Sequence, residues 1–291
     1  MPTTTLIAGI GYVGSALAAE LKAANHRVYG LRRSAPVDIP GVETIRADLT
    51  RPETLEDLPT GINFVVYCAS ASGRSDEAYR AAYVEGPKNL LAALERQGQA
   101  VQRVFFTSST GVYGQTDGSW LDEESVTEPE SFTGQRLLEG EQVFRNGPYP
   151  ATIVRLSGIY GPGRTRLIDS VRRGEAACQE GPPTYTNRIH RDDCAGVLKF
   201  LIEKTLENPE AVQDTYVGVD DDPVDRCVVL RWLAEQSGAP EVPVEARGEE
   251  GGRIRGSNKR LSNRRLKELG YRFRFPTFRE GYGAMLRESS E

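Results

Sequence analysis

The sequence predicts an α/β fold built on a doubly wound parallel sheet. Two observations carry this expectation. Short apolar, β-favouring runs alternate with amphipathic helical runs across the first half of the 291 residues. Strands joined in this way run parallel, through right-handed crossovers. In addition, Gly9-Ile10-Gly11-Tyr12-Val13-Gly14 spells G-x-G-x-x-G at the junction of the first strand pattern and the first helical one.

The elements follow in order. Thr3–Ala8 is the first strand pattern, an amphipathic run to Ala24 the first helix, and Arg27–Arg33 the second strand. Glu43–Ala47 reads as a third strand, followed by Asp48-Leu49 and a short helix from Pro52. Asn63–Cys68 is apolar on both faces, as a buried parallel strand should be, and empties into the small residues Ala69-Ser70-Ala71-Ser72-Gly73. A long helical pattern spans Ser75–Gln97, and Arg103–Ser108 is the fifth strand. Asp117–Glu130, acidic and containing Pro129, reads as a solvated loop. Thr133–Arg145 is helical, and Ala151–Arg155 is a sixth strand. Beyond it lie a helix over Asp192–Lys204, a returning strand at Asp214–Val219 and a helix over Val224–Gln236. Glu245–Gly256 is a mobile connection, and a last helix over Leu261–Leu269 is capped by Gly270.

Each glycine of the motif has a physical task. Gly9 permits the turn off the strand, Gly11 lets backbone approach a pyrophosphate, and Gly14 lets helix and strand pack closely. The helix N-terminus beginning at Tyr12 and Val13 presents N–H groups and partial positive charge to phosphates. An acid at the end of the second strand would bind the ribose hydroxyl of NAD; this chain has Arg32 and Arg33, and no carboxylate until Asp38. Two guanidinium groups suit a 2′-phosphate, so NADP is the expected cofactor, with NAD as second choice.

Composition is that of a globular chain, with 38% hydrophobic and 26% charged residues. A net charge of −5 gives no electrostatic reason to expect nucleic acid or an anionic membrane as partner. No apolar stretch approaches a membrane span and no basic-then-apolar leader is evident, so a cytoplasmic protein is expected. Cys68, Cys178, Cys194 and Cys227 are far apart and are expected to be reduced thiols. His26 and His190 are too few for a metal site, and no metal is expected.

Several ordered blocks resemble the extended short-chain dehydrogenase/reductase superfamily, in its atypical NAD(P)-binding epimerase/dehydratase-like branch. They are the glycine motif, Ala47-Asp48-Leu49, Phe105 through Gly114, Arg155-Leu156-Ser157-Gly158-Ile159-Tyr160-Gly161-Pro162-Gly163, and Arg188-Ile189-His190-Arg191-Asp192-Asp193. The resemblance implies a Rossmann-type sheet over residues 1–156 and about 188–219. A smaller substrate-binding subdomain would occupy 157–187 and 220–291. It also implies that Asp48 and Leu49 contact the adenine and that Ala69, with Ser70, lines the cofactor. Ser109 would orient the substrate oxygen. Proton transfer in that superfamily uses a tyrosine with a lysine four residues later, and the matching positions here are Phe132 and Arg136. Phenylalanine has no ionisable proton; arginine can bind ribose hydroxyls but does not shuttle protons.

Three functions remain open on the sequence. The first is a redox enzyme or epimerase/dehydratase with a replacement acid, for which Tyr113, Tyr160 and His190 are candidates and Arg136 a supporting cation. The second is a non-catalytic NADP-binding redox sensor. The third is an enzyme of non-redox chemistry that uses Ser109. Arg164, Arg166, Arg172, Arg173, Arg188 and Arg191 fit an anionic substrate such as a sugar nucleotide, or else a solvated basic face. The helices Ser75–Gln97 and Thr133–Arg145 are where a homodimer would pair.

Overall fold

The computed structural model describes residues 3–34, 38–246 and 258–288. Seven strands form one parallel sheet: β1 (Thr4–Ala8), β2 (Arg27–Arg32), β3 (Val42–Arg46), β4 (Phe64–Tyr67), β5 (Arg103–Ser109), β6 (Ala151–Leu156) and β7 (Thr215–Gly218), in the order β7-β6-β5-β4-β1-β2-β3. Leu6 of β1 sits opposite Tyr29 of β2 on one side and Val65 of β4 on the other. All four residues of β4 are buried, which is why this strand is apolar at consecutive positions. Reversal of strand order between β1 and β4 creates the crevice at the carboxyl ends where such sheets bind ligands.

Helix α1 (Tyr12–Ala23) buries Val13, Leu17, Ala18 and Leu21, one stripe at helical spacing. Ser75 caps α2 (Asp76–Arg80), its Oγ accepting from the Ala78 N–H at 3.2 Å. A single π turn, Ala81–Glu85, joins α2 to α3 (Gly86–Arg96), so the one long helix of the sequence pattern is interrupted. Ser131 caps α4 (Phe132–Arg145). Further along are α5 (Arg166–Arg172), α6 (Arg191–Glu207), α7 (Arg226–Ser237), α8 (Arg264–Leu269) and α9 (Phe278–Glu288). Gly270 closes α8 at φ +108, as the sequence leads one to expect. Among the described residues no helix is long and apolar enough to cross a membrane.

The chain divides into two compact units. The first comprises Met1–Tyr113, Val126–Leu156 and Cys194–Tyr216. It is centred on the sheet, and Phe106 and Phe144, 4.8 Å apart between ring centroids, typify its aromatic filling. The second comprises Gly114–Ser125, Ser157–Asp193 and Val217–Glu291. Its core gathers Tyr160, Ile168, Leu230, Leu233, Phe278 and Tyr282. These boundaries differ from 1–156 plus 188–219 for pairing reasons. Gly158–Tyr160 pairs in parallel with Arg188–His190, and Trp120–Leu121 with Arg260–Leu261, which carries both segments into the second unit.

Three local expectations are corrected. Asp117–Glu130 is not simply a solvated loop: Leu121 is buried, and the nearly buried Glu123 accepts the Val217 N–H at 2.8 Å. Cys178 and Cys227 are not separate thiols but a disulfide, with Cα atoms 5.2 Å apart across 49 residues of sequence, a pairing that only the fold brings about. Cys68 and Cys194 take no part in a disulfide. Within the expected mobile connection Glu245–Gly256, Glu245 instead pairs with Gln179, and residues 247–256 lie outside the described residues.

Candidate cofactor site

The glycine turn occupies the end of β1. Gly9 has φ +104, a conformation that favours glycine, and a Cβ there would collide with the backbone of Ala69 after β4. Gly14 is likewise confined, because a Cβ on it would strike the Gly9 carbonyl oxygen. Gly11 differs: nothing lies within 4 Å of where its Cβ would be. It is the N-cap of α1, and no side chain makes the capping bond. A closed turn, an open glycine and a helix N-terminus without a side-chain cap together form a cradle that fits a pyrophosphate. Tyr12, Val13 and Gly14 form the first turn of that helix behind the cavity wall rather than the wall itself.

Gly9, Ile10 and Gly11 line a cavity whose next wall is the end of β2: Leu31, Arg32, Arg33 and Ser34. Arg32 Nε donates to Ser34 Oγ at 2.6 Å. Asp48 and Leu49, at the end of β3, face the same cavity. Asp48 Oδ1 accepts from Thr50 N at 2.9 Å and Thr50 Oγ1 at 2.7 Å. Burial works against its charge, yet the Thr50 bonds, with Arg33 and Arg51 nearby, hold the carboxyl below its ordinary value. Ala69 and Ser70 complete the set at the end of β4. Eight sequence-predicted cofactor residues thus meet on one cavity, although they derive from four strand ends.

The sequence reading missed the opposite wall, Ala78, Ala81 and Ala82, and the base formed by Tyr67 and Cys68. The signal was present: alanines at i, i+3 and i+4 put a smooth helical face toward the ligand. Tyr67 Oη donates to the Ala82 carbonyl oxygen, within the π turn. Burial pushes the Cys68 thiol up to about 12, so it stays protonated.

The catalytic candidates fare differently. Ser109 Oγ accepts from Gly111 N at 3.1 Å, capping the short turn Thr110–Val112. Tyr113 is corrected from rim to interior. It is 2% exposed, and Arg155 Nη1 donates to its Oη at 3.0 Å. The same Arg155 forms a buried fork with Glu141, at 3.0 and 2.7 Å, and Glu141 also accepts from Ser108 Oγ at 2.7 Å. Arg136 is corrected as well. Its Nε and Nη2 donate to the two Asp76 oxygens at 2.8 Å each, and Nη1 to Glu139 at 2.6 Å. The guanidinium therefore ties α4 to α2, and it does not line the cavity. Phe132, partly exposed, stands edge-on to Tyr79 at 5.6 Å.

In the second unit, Tyr160 is buried and its hydroxyl packs where a side chain on Gly281 would collide. His190 Nδ1 accepts the Asp192 N–H at 3.2 Å, and its ring packs at 3.9 Å on Phe275. Burial lowers its pKa despite Asp192 and Asp193, so it is a neutral structural contact. Much of the arginine set is also internally engaged: Arg173 with Glu175, Arg191 with Asp192, and buried Arg188 at 3.8 Å from Asp220. Burial outweighs Arg188 and pushes the Asp220 carboxyl up to about 8. Among the described residues no group of three or more His, Cys, Asp or Glu could hold a metal ion.

Comparison with known proteins identifies the family. The NAD dependent epimerase/dehydratase family model matches residues 5–212. A solved structure from Methylobacillus flagellatus, placed with the NAD-dependent epimerases/dehydratases, is 39% identical with TM-score 0.82 and covers 100% of both chains. Protein YeeZ of Escherichia coli K12 is 29% identical over 208 residues, 68% of this chain and 72% of YeeZ. MoeE5, solved with UDP-glucose and NAD, shares the fold at TM-score 0.79 and 24% identity, covering 99% of this chain and 100% of its own. The chain belongs to the NAD-dependent epimerase/dehydratase family.

Proposed function

We propose that this member of the NAD-dependent epimerase/dehydratase family binds NADP(H) and acts as an oxidoreductase or epimerase/dehydratase on a small, anionic or sugar-nucleotide substrate. One observation carries the cofactor choice: Arg32, Arg33 and Ser34 line the cavity at the end of β2, and the first carboxylate after them in sequence is the exposed Asp38. Gly9–Gly14 and the start of α1 would hold the pyrophosphate, Arg32 and Arg33 the 2′-phosphate, and Asp48 and Leu49 the adenine side. When bound, the cofactor supplies or accepts a hydride. On the substrate side, Arg166 and Arg172 are exposed cations of the second unit, and MoeE5 offers a relative by fold that binds a sugar nucleotide with NAD. A homodimer working in the cytosol fits this reading.

A second reading, a non-catalytic NADP-binding redox sensor, is favoured by Phe132 and by the engagement of Arg136 with Asp76 and Glu139. Turnover over a panel of carbonyl and sugar-nucleotide substrates separates the two, read as NADPH consumption for a reductase and as product formation without net consumption for an epimerase or dehydratase. The cofactor assignment is tested by calorimetric titration. Charge-assisted hydrogen bonds contribute about 1.5–3 kcal/mol, so Arg32→Ala is expected to weaken NADPH binding roughly 10- to 100-fold and NADH binding little. Equal losses for both nucleotides would remove the basis for NADP.

A further inference from the structure

Phe132 leaves the family's proton-transfer position without a proton, and Arg136 is held by two carboxylates. The groups beside that position therefore decide whether the site can do acid chemistry. The Phe132 ring stands edge-on to Tyr79 at 5.6 Å, and Tyr79 stands 5.3 Å from Tyr83. Tyr83 lies in the π turn, a helical irregularity that often marks functional positions. Its neighbours Ala81 and Ala82 line the cofactor cavity. The Tyr83 hydroxyl receives a backbone hydrogen bond from Ala71, inside the segment after β4 whose Ala69, Ser70 and Ser72 also line the cavity. Helix α4 packs directly on this residue, since a Cβ at Gly140 would collide with the Tyr83 carbonyl. One phenol is thus fixed by backbone between the cofactor rim and the ring that replaces the usual donor.

We propose that Tyr83, next to the cavity-lining Ala81 and Ala82, takes over the proton transfer that Phe132 cannot perform. This rests on the NADP(H) reading given above. In carbonyl reduction the carbonyl carbon receives the hydride of the reduced nicotinamide, and the C=O electron pair moves onto oxygen. That oxygen takes the proton from Tyr83 Oη. The phenolate left behind is stabilised by the Ala71 N–H and recovers its proton from water. Burial, with Tyr79 close by, raises the Tyr83 pKa, so the group enters the reaction protonated at neutral pH.

The test needs no substrate. Phenolate absorbance is titrated with pH in the free protein and with NADP⁺ or NADPH bound, binding being followed independently by calorimetry. The positive nicotinamide of NADP⁺ should shift one tyrosine to lower pH, and neutral NADPH should not. Tyr83→Phe should abolish the shift and leave NADP⁺ affinity within about threefold; Tyr79→Phe and Tyr113→Phe should keep it. NADP⁺ binding with no shift, or a shift that survives in Tyr83→Phe, overturns the proposal while leaving the cofactor assignment standing. If NAD⁺ alone binds, the same titration is run with NAD⁺. Binding of neither nucleotide overturns the cofactor reading and this one with it. With a turned-over carbonyl substrate, Tyr83→Phe should cost roughly 10²–10⁴-fold in rate, and adding Phe132→Tyr should restore part of it.

Discussion

Glu141→Gln is the perturbation whose cost the structure defines best. Glu141 is 1% exposed and Arg155 5%. The carboxylate accepts Arg155 Nε at 3.0 Å, Arg155 Nη2 at 2.7 Å and Ser108 Oγ at 2.7 Å. Glutamine keeps the shape and removes the charge. Arg155 stays protonated, because Glu141 and Tyr113 outweigh the burial that disfavours its charge, and the substitution would strand that cation in the interior. Arg145, 3.7 Å from the same carboxylate, adds a second positive charge rather than relief. Breaking one side of a buried pair costs about 3–5 kcal/mol, a large share of the roughly 5–15 kcal/mol that holds a domain folded. At about 2–4 °C per kcal/mol, the melting temperature should fall by roughly 6–20 °C. Far-UV circular dichroism in urea is the assay, because Trp120 and Trp232 both lie in the second unit while Glu141 is in the first. Glu141→Gln/Arg155→Met should be more stable than Glu141→Gln alone, since no buried charge is then unpaired. A single-variant loss below about 1 kcal/mol, or a double variant that merely sums two losses, would refute the reasoning.

Three further outcomes are expected. Arg136→Met should change NADPH affinity by less than about threefold, because the guanidinium serves Asp76 and Glu139; a loss approaching that of Arg32→Ala would return Arg136 to the cofactor. Asp220 holds a proton in the folded chain up to about pH 8, whereas an unfolded carboxyl releases it near about 4. Stability from this group should therefore fall as pH rises across that window, and Asp220→Asn should flatten the decline; parallel urea profiles for the two proteins would exclude it. Peptide mapping of unreduced, alkylated protein should find Cys178 joined to Cys227, with Cys68 and Cys194 alkylated only after denaturation. Alkylation of all four cysteines without reductant would contradict the pairing.

Some of this was legible in residue order alone. Local backbone demands are written locally: glycines where a turn and a helix start must form, and consecutive apolar residues where β4 is buried on both faces. The alternation of elements, the glycine cradle and the arginines ending β2 all follow from neighbours in sequence, so the sheet and most of the cofactor wall could be read directly. Side-chain commitments could not. Arg136 looked available until α2 brought Asp76, sixty positions away, onto its guanidinium. Tyr113 looked like a rim acid until Arg155 and Glu141 closed a buried network around it. Cys178 and Cys227 meet because the short strand Cys178–Gln179 and the start of α7 converge within the second unit, and the alanine wall becomes one surface only when α2 and its π turn lie against the strand ends. Sequence fixes what each residue can do chemically and which neighbours it has along the chain. Which groups are already satisfied, and which remain to act, depends on distances that long-range packing alone sets.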